Sequence, residues 1–236
     1  MSVEVRRAGD RFVTRSGGIC SRHSFSFGAH YDPANVGHGQ LLVHNDDLLA
    51  PGAGYDMHRH ADTEIVTWVV AGRLTHQDSR GHVDVLTPGS VQRTSAGSGI
   101  THSERNASDT APLRFVQMHL PPDEPGAAPS YQQSPVALIR GALVTVASGR
   151  PDRPGAVRLG NRHAALHVAR LGDGDEVALP PAASLHVYVV SGAARLEPAG
   201  ELGAGDAARL ADEGPMPLSA TADGTEVLVW EMDALR

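Results

Sequence analysis

The sequence predicts an all-β protein made of two tandem jelly-roll β-barrels. The first observation is that short β-branched runs alternate with turn signals, since the 236-residue chain contains 26 glycines and 16 prolines. Strands this short and this frequent are typical of a β-sandwich or a closed jelly roll. The second observation is that no long stretch combines helical periodicity with capping residues. The third is an internal repeat, which indicates two barrels rather than one.

The repeat relates the two halves of the chain. Segment 64–72, Glu-Ile-Val-Thr-Trp-Val-Val-Ala-Gly, resembles segment 184–192, Ser-Leu-His-Val-Tyr-Val-Val-Ser-Gly. A chain of this length can bury a core in each of two small domains. We therefore expect an N-terminal barrel at residues 1–120 and a C-terminal barrel at residues 138–236, packed face to face.

The segment between the halves, residues 121–137, is rich in proline. Its prolines are at positions 121, 122, 125, 129 and 135. Proline lacks a backbone donor and cannot continue the interior of a sheet. The segment is therefore predicted to be a linker between domains, with a long surface loop inside one domain as the alternative.

Within the N-terminal half, alternating and β-branched runs predict individual strands. The predicted strands are 40–44, 64–70, 73–78, 83–86, 91–95, 101–105 and 113–120. Ser24–Phe27 alternates polar and aromatic residues, as a half-buried strand does. Asn45-Asp46-Asp47 and Pro51-Gly52 have the composition of turns.

Two short motifs place potential metal ligands at positions i and i+2. The first contains His58 and His60, and the second contains His102 and Glu104. Residues i and i+2 of a strand point to the same face, so the members of each pair project together. If the two strands lie close in one barrel, three imidazoles and a carboxylate converge, a donor set that suits a divalent transition metal. One His-x-His pair is weak evidence in a chain with 13 histidines, but here both pairs stand beside a glycine-rich turn and an apolar run.

The same motifs resemble those of the cupin superfamily and, within it, the pirin family. The first motif, Gly52-x5-His58-Arg59-His60-x3-Glu64-x7-Gly72, fits the cupin pattern, and segment 97–106 fits the tail of the second cupin motif. Further segments resemble pirins in consecutive order: Ser24–Gly28, Tyr31–Pro33, Asn45–Asp47, His76–Ser79, Pro88–Gln92 and Ala96–Glu104. The resemblance is specific from about residue 20 to residue 123 and rests on architecture beyond that. It implies cupin-type barrels, that is, a bicupin.

The resemblance also implies a ligand set. Carried over residue by residue, the pirin ligands are His58, His60, His102 and Glu104, holding one divalent metal. Glu64 is a ligand in some other cupins but not in pirins, so we expect a structural role for it. The resemblance favours Fe(II), while the donor set also accepts Mn, Co, Ni, Cu or Zn.

Other residues near the motifs depart from the family or are weaker candidates. Arg59 stands where pirins often have proline, Thr94 where methionine is common, and His119 where many relatives carry tryptophan. These departures change the lining of the pocket. The weaker candidates for contact with the ligands are His76, Asp78, Gln92 and His119, each of which is more often structural.

Three functions remain open from the sequence. The first is a quercetinase-type dioxygenase that opens a flavonol-like aromatic substrate with O2, with Glu104 as the catalytic base that accepts the substrate's hydroxyl proton. The second is a regulatory protein in which iron, cycling between Fe(II) and Fe(III), alters a surface that binds a partner protein. The third is a storage-like cupin without turnover.

The C-terminal half is predicted to lack a metal. The offsets of the repeat place its counterparts of the four ligands at Ala178, Pro180, Leu218 and Ala220, none of which offers a donor side chain. His163, His167 and His186 show no ligand-like pairing. We therefore expect this barrel to be structural.

Composition excludes several other classes of function. The net charge is −7, and all 20 basic residues are arginine, which argues against direct nucleic-acid binding and excludes mechanisms that need a catalytic lysine. The single cysteine, Cys20, excludes an intrachain disulfide. No apolar run approaches the length of a membrane span, and the N-terminus lacks the apolar core of a signal peptide. We expect a cytoplasmic monomer.

Overall fold

The structure, a computed structural model, describes residues 2–197 and 199–234. In this part of the chain a single 3-10 turn, Ala8–Asp10, accompanies 22 strands. The first twelve are β1 (Ser2–Arg6), β2 (Phe12–Ser16), β3 (Ile19–His23), β4 (Val43–Leu49), β5 (Gly54–His60), β6 (Glu64–Ala71), β7 (Leu74–Asp78), β8 (Val83–Leu86), β9 (Ser90–Ser95), β10 (Ile100–Asn106), β11 (Leu113–Leu120) and β12 (Ser130–Pro135). The others are β13 (Leu143–Ser148), β14 (Val157–Arg158), β15 (Ala164–Leu171), β16 (Glu176–Leu179), β17 (Ala182–Ser191), β18 (Ala193–Leu196), β19 (Gly200–Gly203), β20 (Ala207–Glu213), β21 (Met216–Ala220) and β22 (Thr225–Met232). None of the helices described here has the length and hydrophobicity to cross a membrane.

The strands form two pairs of sheets with matching order. One pair consists of the seven-stranded sheet β12-β9-β6-β11-β4-β3-β2 and the four-stranded sheet β5-β10-β7-β8. The other consists of β1-β20-β17-β22-β15-β13-β14 and β16-β21-β18-β19. The predicted all-β fold of two jelly-roll barrels is confirmed. The strand pair β16–β21 occupies the place in the second barrel that β5–β10 occupies in the first.

Two strands lie outside the contiguous halves expected from the sequence. Strand β1 pairs with β20 and so completes the sheet of the C-terminal barrel, although it begins the chain. Strand β12, within the expected linker 121–137, pairs with β9 and forms the edge of the N-terminal sheet. Four of the five prolines precede β12, and Pro135 ends it, which an edge strand tolerates because one side of its backbone needs no ladder bond. In each barrel, one edge strand of the large sheet therefore comes from outside the chain segment that was expected to form that barrel.

The two large sheets pack against each other through an apolar core shared by both halves. Trp68 of β6 and Met118 of β11 lie in the same cluster as Leu166 of β15 and Trp230 of β22, all fully buried. The interior of the C-terminal barrel is filled by a second, aliphatic cluster that includes Leu185, Val187 and Leu218. The C-terminal barrel thus has an apolar, packed interior.

Two local predictions were wrong, and the strand predicted at 40–44 is found at Val43–Leu49 instead. Asn45-Asp46-Asp47 lies inside β4 instead of forming a turn. The reason is tertiary: Asp46 accepts hydrogen bonds from Arg114 at 2.7 Å and from the Tyr188 hydroxyl at 2.5 Å, and Asn45 bonds His23 at 2.9 Å. The segment predicted as a strand at 24–27 has only an isolated bridge between Phe27 and His30.

Candidate metal centre

The two predicted ligand pairs lie on adjacent antiparallel strands. Strands β5 and β10 place His102 opposite His58 and Ile100 opposite His60. The imidazole ring centroids of His58 and His102 are 4.5 Å apart, those of His58 and His60 are 4.8 Å apart, and those of His60 and His102 are 4.9 Å apart. One ring nitrogen from each lies within 4.8 Å of the others, so these three side chains can hold one metal ion.

Glycine permits the close approach of these strands. A Cβ added to Gly54 on β5 would lie 2.4 Å from the carbonyl oxygen of Glu104, so any other residue would push β5 away from β10. Gly97, in the turn before β10, has φ +45°, and a Cβ there would meet the carbonyl oxygen of Ala127 at 2.0 Å. Both positions therefore help to fix where the second ligand pair lies.

Burial keeps His60 and His102 neutral. Desolvation lowers the pKa of His60 to about 4, and desolvation together with the neighbouring histidines lowers the pKa of His102 to about 2. A neutral imidazole is the form that binds a metal. Both ring nitrogens of His102, together with Nε2 of His60, are buried without a hydrogen-bond partner. Buried polar atoms are rarely left unpaired, so these orphaned nitrogens fit a site that is completed by a metal ion.

Glu104 lies in a second, overlapping group of donors. It forms a cluster of potential ligand atoms with His102 and His76, and all three side chains are buried. Between His102 and Glu104 a β-bulge interrupts the register of β10 with β5, so that Glu104 lies opposite Tyr55 of β5. On its other side, β10 pairs in regular register with β7, where Glu104 lies opposite His76. The structure thus brings three of the predicted ligands together in one group and links the fourth to them through His102. It also adds His76, a weaker candidate in the sequence.

The carboxylate of Glu104 has one bound and one free oxygen. Its Oε2 accepts a hydrogen bond of 2.6 Å from Nε2 of Gln117, while Oε1 is buried without a partner. Desolvation raises the pKa of this carboxyl to about 7, against the opposing effect of the Gln117 bond. A carboxyl whose pKa is near neutrality is able to exchange a proton under ordinary conditions.

Further polar residues of the barrel interior were missed by sequence reasoning. Gln117 is one, and another is Asp47, which is 1 % exposed, has Oδ1 without a partner and accepts a 3.2 Å hydrogen bond from Tyr55. Burial raises the pKa of Asp47 to about 6. The one sequence signal for Gln117 was its i, i+2 spacing from His119. This spacing places both side chains on the face of β11 that points into the barrel.

Glu64 and the C-terminal histidines lie away from the cluster. The Glu64 carboxylate accepts hydrogen bonds of 2.8 Å from the Ser95 hydroxyl and from the backbone N–H of Gly160, which ties the two halves together. His167 bonds Glu231 at 3.0 Å, and the buried His186 packs against His44 with ring centroids 4.8 Å apart. These contacts join neighbouring strands or the two halves of the protein.

Comparison with known proteins agrees with this description. The family model described as Pirin matches residues 5–120. The chain is 52 % identical over 235 residues to the protein of Mycobacterium tuberculosis named "Putative quercetin 2,3-dioxygenase", covering 99 % of this chain and 96 % of that protein. It is 37 % identical over 216 residues to the pirin-like protein of Caulobacter vibrioides, covering 90 % and 92 % of the two chains. The crystal structure of the Escherichia coli pirin YhhW in complex with nickel(II) superposes with a TM-score of 0.90 at 31 % identity, covering 99 % of this chain and 100 % of that one.

The paired jelly-roll barrels, with a histidine cluster in the first and an aliphatic interior in the second, define a bicupin. The relatives show which bicupin family this is, because they match nearly the whole length of the chain. The protein belongs to the pirin family.

Proposed function

We propose that this pirin is a metal-dependent dioxygenase of the quercetin 2,3-dioxygenase type, which opens flavonol-like aromatic substrates with O2. One divalent metal ion would be held by His58, His60, His102 and Glu104. The observation that carries the proposal is that His58, His60 and His102 bring ring nitrogens within 4.8 Å of one another, and that His102 also groups with the buried Glu104, whose Oε1 has no partner. The name of the mycobacterial relative supports the reaction class.

The metal itself is part of the proposal. When bound, it would supply Lewis acidity and a path for electrons between substrate and O2. We favour Fe(II) because of the family resemblance, and the nickel(II) complex of the Escherichia coli relative supports a divalent ion.

The side chains around the site would have separate roles. Glu104 would offer Oε1, the oxygen without a partner, to the metal and, once detached from it, to the proton of a substrate hydroxyl, while Gln117 holds Oε2 in place. The same barrel also holds an apolar cluster that includes Leu74, Leu113 and Phe115, all fully buried. These side chains exclude water from their part of the barrel interior, and electrostatic interactions are stronger where water is excluded.

The test is turnover by protein loaded with Fe(II) over a panel of flavonols. We expect oxygen uptake matched to loss of flavonol, with an opened-ring product identified by mass spectrometry. Glu104→Gln is the matched control, because it keeps the size and an oxygen donor but removes the basicity. Fully loaded wild-type protein that leaves every flavonol intact would overturn the dioxygenase proposal and favour the regulatory alternative. A Glu104→Gln variant as active as wild type would leave the enzyme standing and discard Glu104 as the base.

A further inference from the structure

A short line of hydrogen bonds runs along β11 to Glu104. His119 Nε2 lies 3.3 Å from Oε1 of Gln117, and Gln117 Nε2 lies 2.6 Å from Oε2 of Glu104. His119 and Gln117 are two residues apart on one strand, so both point into the barrel. Both are 8 % exposed, so water competes little for these bonds.

The chemistry of the three groups determines the direction of both bonds. A carboxylate that binds a metal is ionised and can only accept, so in the metal-bound protein the amide nitrogen of Gln117, and not its oxygen, must face Glu104. The amide oxygen then faces His119, and an oxygen there requires that His119 donate from Nε2. The His119 tautomer with a proton on Nε2 therefore locks the orientation of the Gln117 amide.

We propose that His119 is a positioning residue of the metal centre, which acts through Gln117 to hold Glu104 with Oε1 free to bind the metal. This inference rests on the proposed metal centre. The rings of His119 and His60 are 5.4 Å apart and nearly perpendicular, yet His119 belongs to neither group of potential ligands found among the described residues. Its route to the metal is therefore through the amide and not by direct coordination. Hydrogen-bonded partners of ligands typically change metal affinity about 10–100-fold when they are removed.

The experiment measures metal binding by the apo-protein rather than turnover. Co(II) is titrated in competition with a chromogenic chelator, and the visible spectrum of the Co(II) protein reports the ligand geometry. His119→Phe keeps a ring but removes the donor, His119→Gln keeps an N–H near the position of Nε2, and Gln117→Leu removes the link. We expect His119→Phe and Gln117→Leu each to weaken Co(II) binding about 10–100-fold and to alter the spectrum, with His119→Gln close to wild type.

The double variant distinguishes an indirect role from a direct one. If His119 acts only through Gln117, His119→Phe adds little once Gln117→Leu is present, whereas independent effects would multiply. His163→Phe is the matched control, since His163 lies in the C-terminal half and its Nδ1 is 3.1 Å from Asp233. If apo His119→Phe melts below wild type, His119→Leu repeats the comparison with a smaller side chain.

Each result bears on one proposal. His119→Phe and His119→Leu that bind Co(II) like wild type, or a double variant with multiplied effects, would overturn the role of His119 and leave the metal centre intact. Wild-type protein that binds no Co(II) would overturn the metal centre and this inference with it. Co(II) binding that follows the expected pattern in a protein that leaves flavonols unchanged would support the positioning role while the dioxygenase proposal fails.

Discussion

The two tryptophans of this protein offer a matched test of what holds the barrels together. Both are fully buried in the core shared by the two large sheets. Trp68 donates its indole N–H to Oε1 of Glu226 at 2.8 Å, across the interface, while Trp230 donates to the sulfur of Met118 at 3.1 Å. Replacing either residue with phenylalanine removes the same atoms. The difference in stability between the two variants therefore reports the difference between the two hydrogen bonds.

The expected difference follows from the strength of each bond. A hydrogen bond to a charged group contributes about 1.5–3 kcal/mol, whereas a thioether is a weak acceptor. In Trp68→Phe the Glu226 carboxylate still accepts a 2.6 Å bond from Arg170, so one bond is lost and the charge stays paired. We therefore expect Trp68→Phe to reduce the free energy of unfolding by about 1–2 kcal/mol more than Trp230→Phe does.

Urea unfolding and thermal unfolding, both followed by circular dichroism, are the suitable assays, because each variant lacks one fluorophore. For a chain of this length, 1 kcal/mol corresponds to about 2–4 °C in Tm, so the two variants should melt about 2–8 °C apart. Equal losses of stability, or a larger loss in Trp230→Phe, would refute the view that the charged hydrogen bond across the interface stabilises the packing of the two barrels.

The parts of the structure that the sequence predicted are those with local signals. Short β-branched or alternating runs identified β6, β9, β10 and β11, and the i, i+2 rule predicted that each ligand pair shares one face. The repeat of 64–72 in 184–192 led to the second barrel, because equivalent strands keep similar apolar runs. Each of these inferences needs only the pattern within short segments, and none needs to know which distant residues are in contact.

The misses are contacts between residues far apart in sequence. Asn45-Asp46-Asp47 has the composition of a turn, but Arg114 and Tyr188, 68 and 142 residues from Asp46, supply the bonds that hold it in a strand. The pairing of β1 with β20 joins opposite ends of the chain, and the sequence of residues 2–6 does not indicate which strand β1 pairs with. The separate grouping of Glu104 with His76 comes from the pairing of β10 with β7, and the irregularity between β10 and β5 places Glu104 opposite Tyr55; residue spacing reveals neither.

Three further predictions concern the metal centre and its ionisable groups. A His58→Ala, His102→Ala double variant should retain no stoichiometric metal in elemental analysis after gel filtration, against one ion per chain in the wild type. Glu104→Gln should retain most of the metal yet lose flavonol turnover about 10²–10⁴-fold, and a smaller loss would show that the base lies elsewhere. The third prediction is a pH dependence of the apo-protein's stability. Burial lowers the pKa of His44 to about 3 and of His60 to about 4, so below pH 6.5 the unfolded chain binds more protons than the folded one, and stability falls on acidification. Glu104 acts in the opposite sense, because its folded pKa is raised to about 7 from 4.5: the unfolded chain binds fewer protons in that window, and stability is lost as the pH rises through it. Apo Glu104→Gln, which carries no charge to bury, should therefore unfold at higher urea concentration than wild type at pH 8, with a smaller or vanishing advantage near pH 4.5. A variant that is less stable than wild type at pH 8 would show that the ionised carboxylate of Glu104 is stabilised in the folded protein, contrary to its burial and its free oxygen.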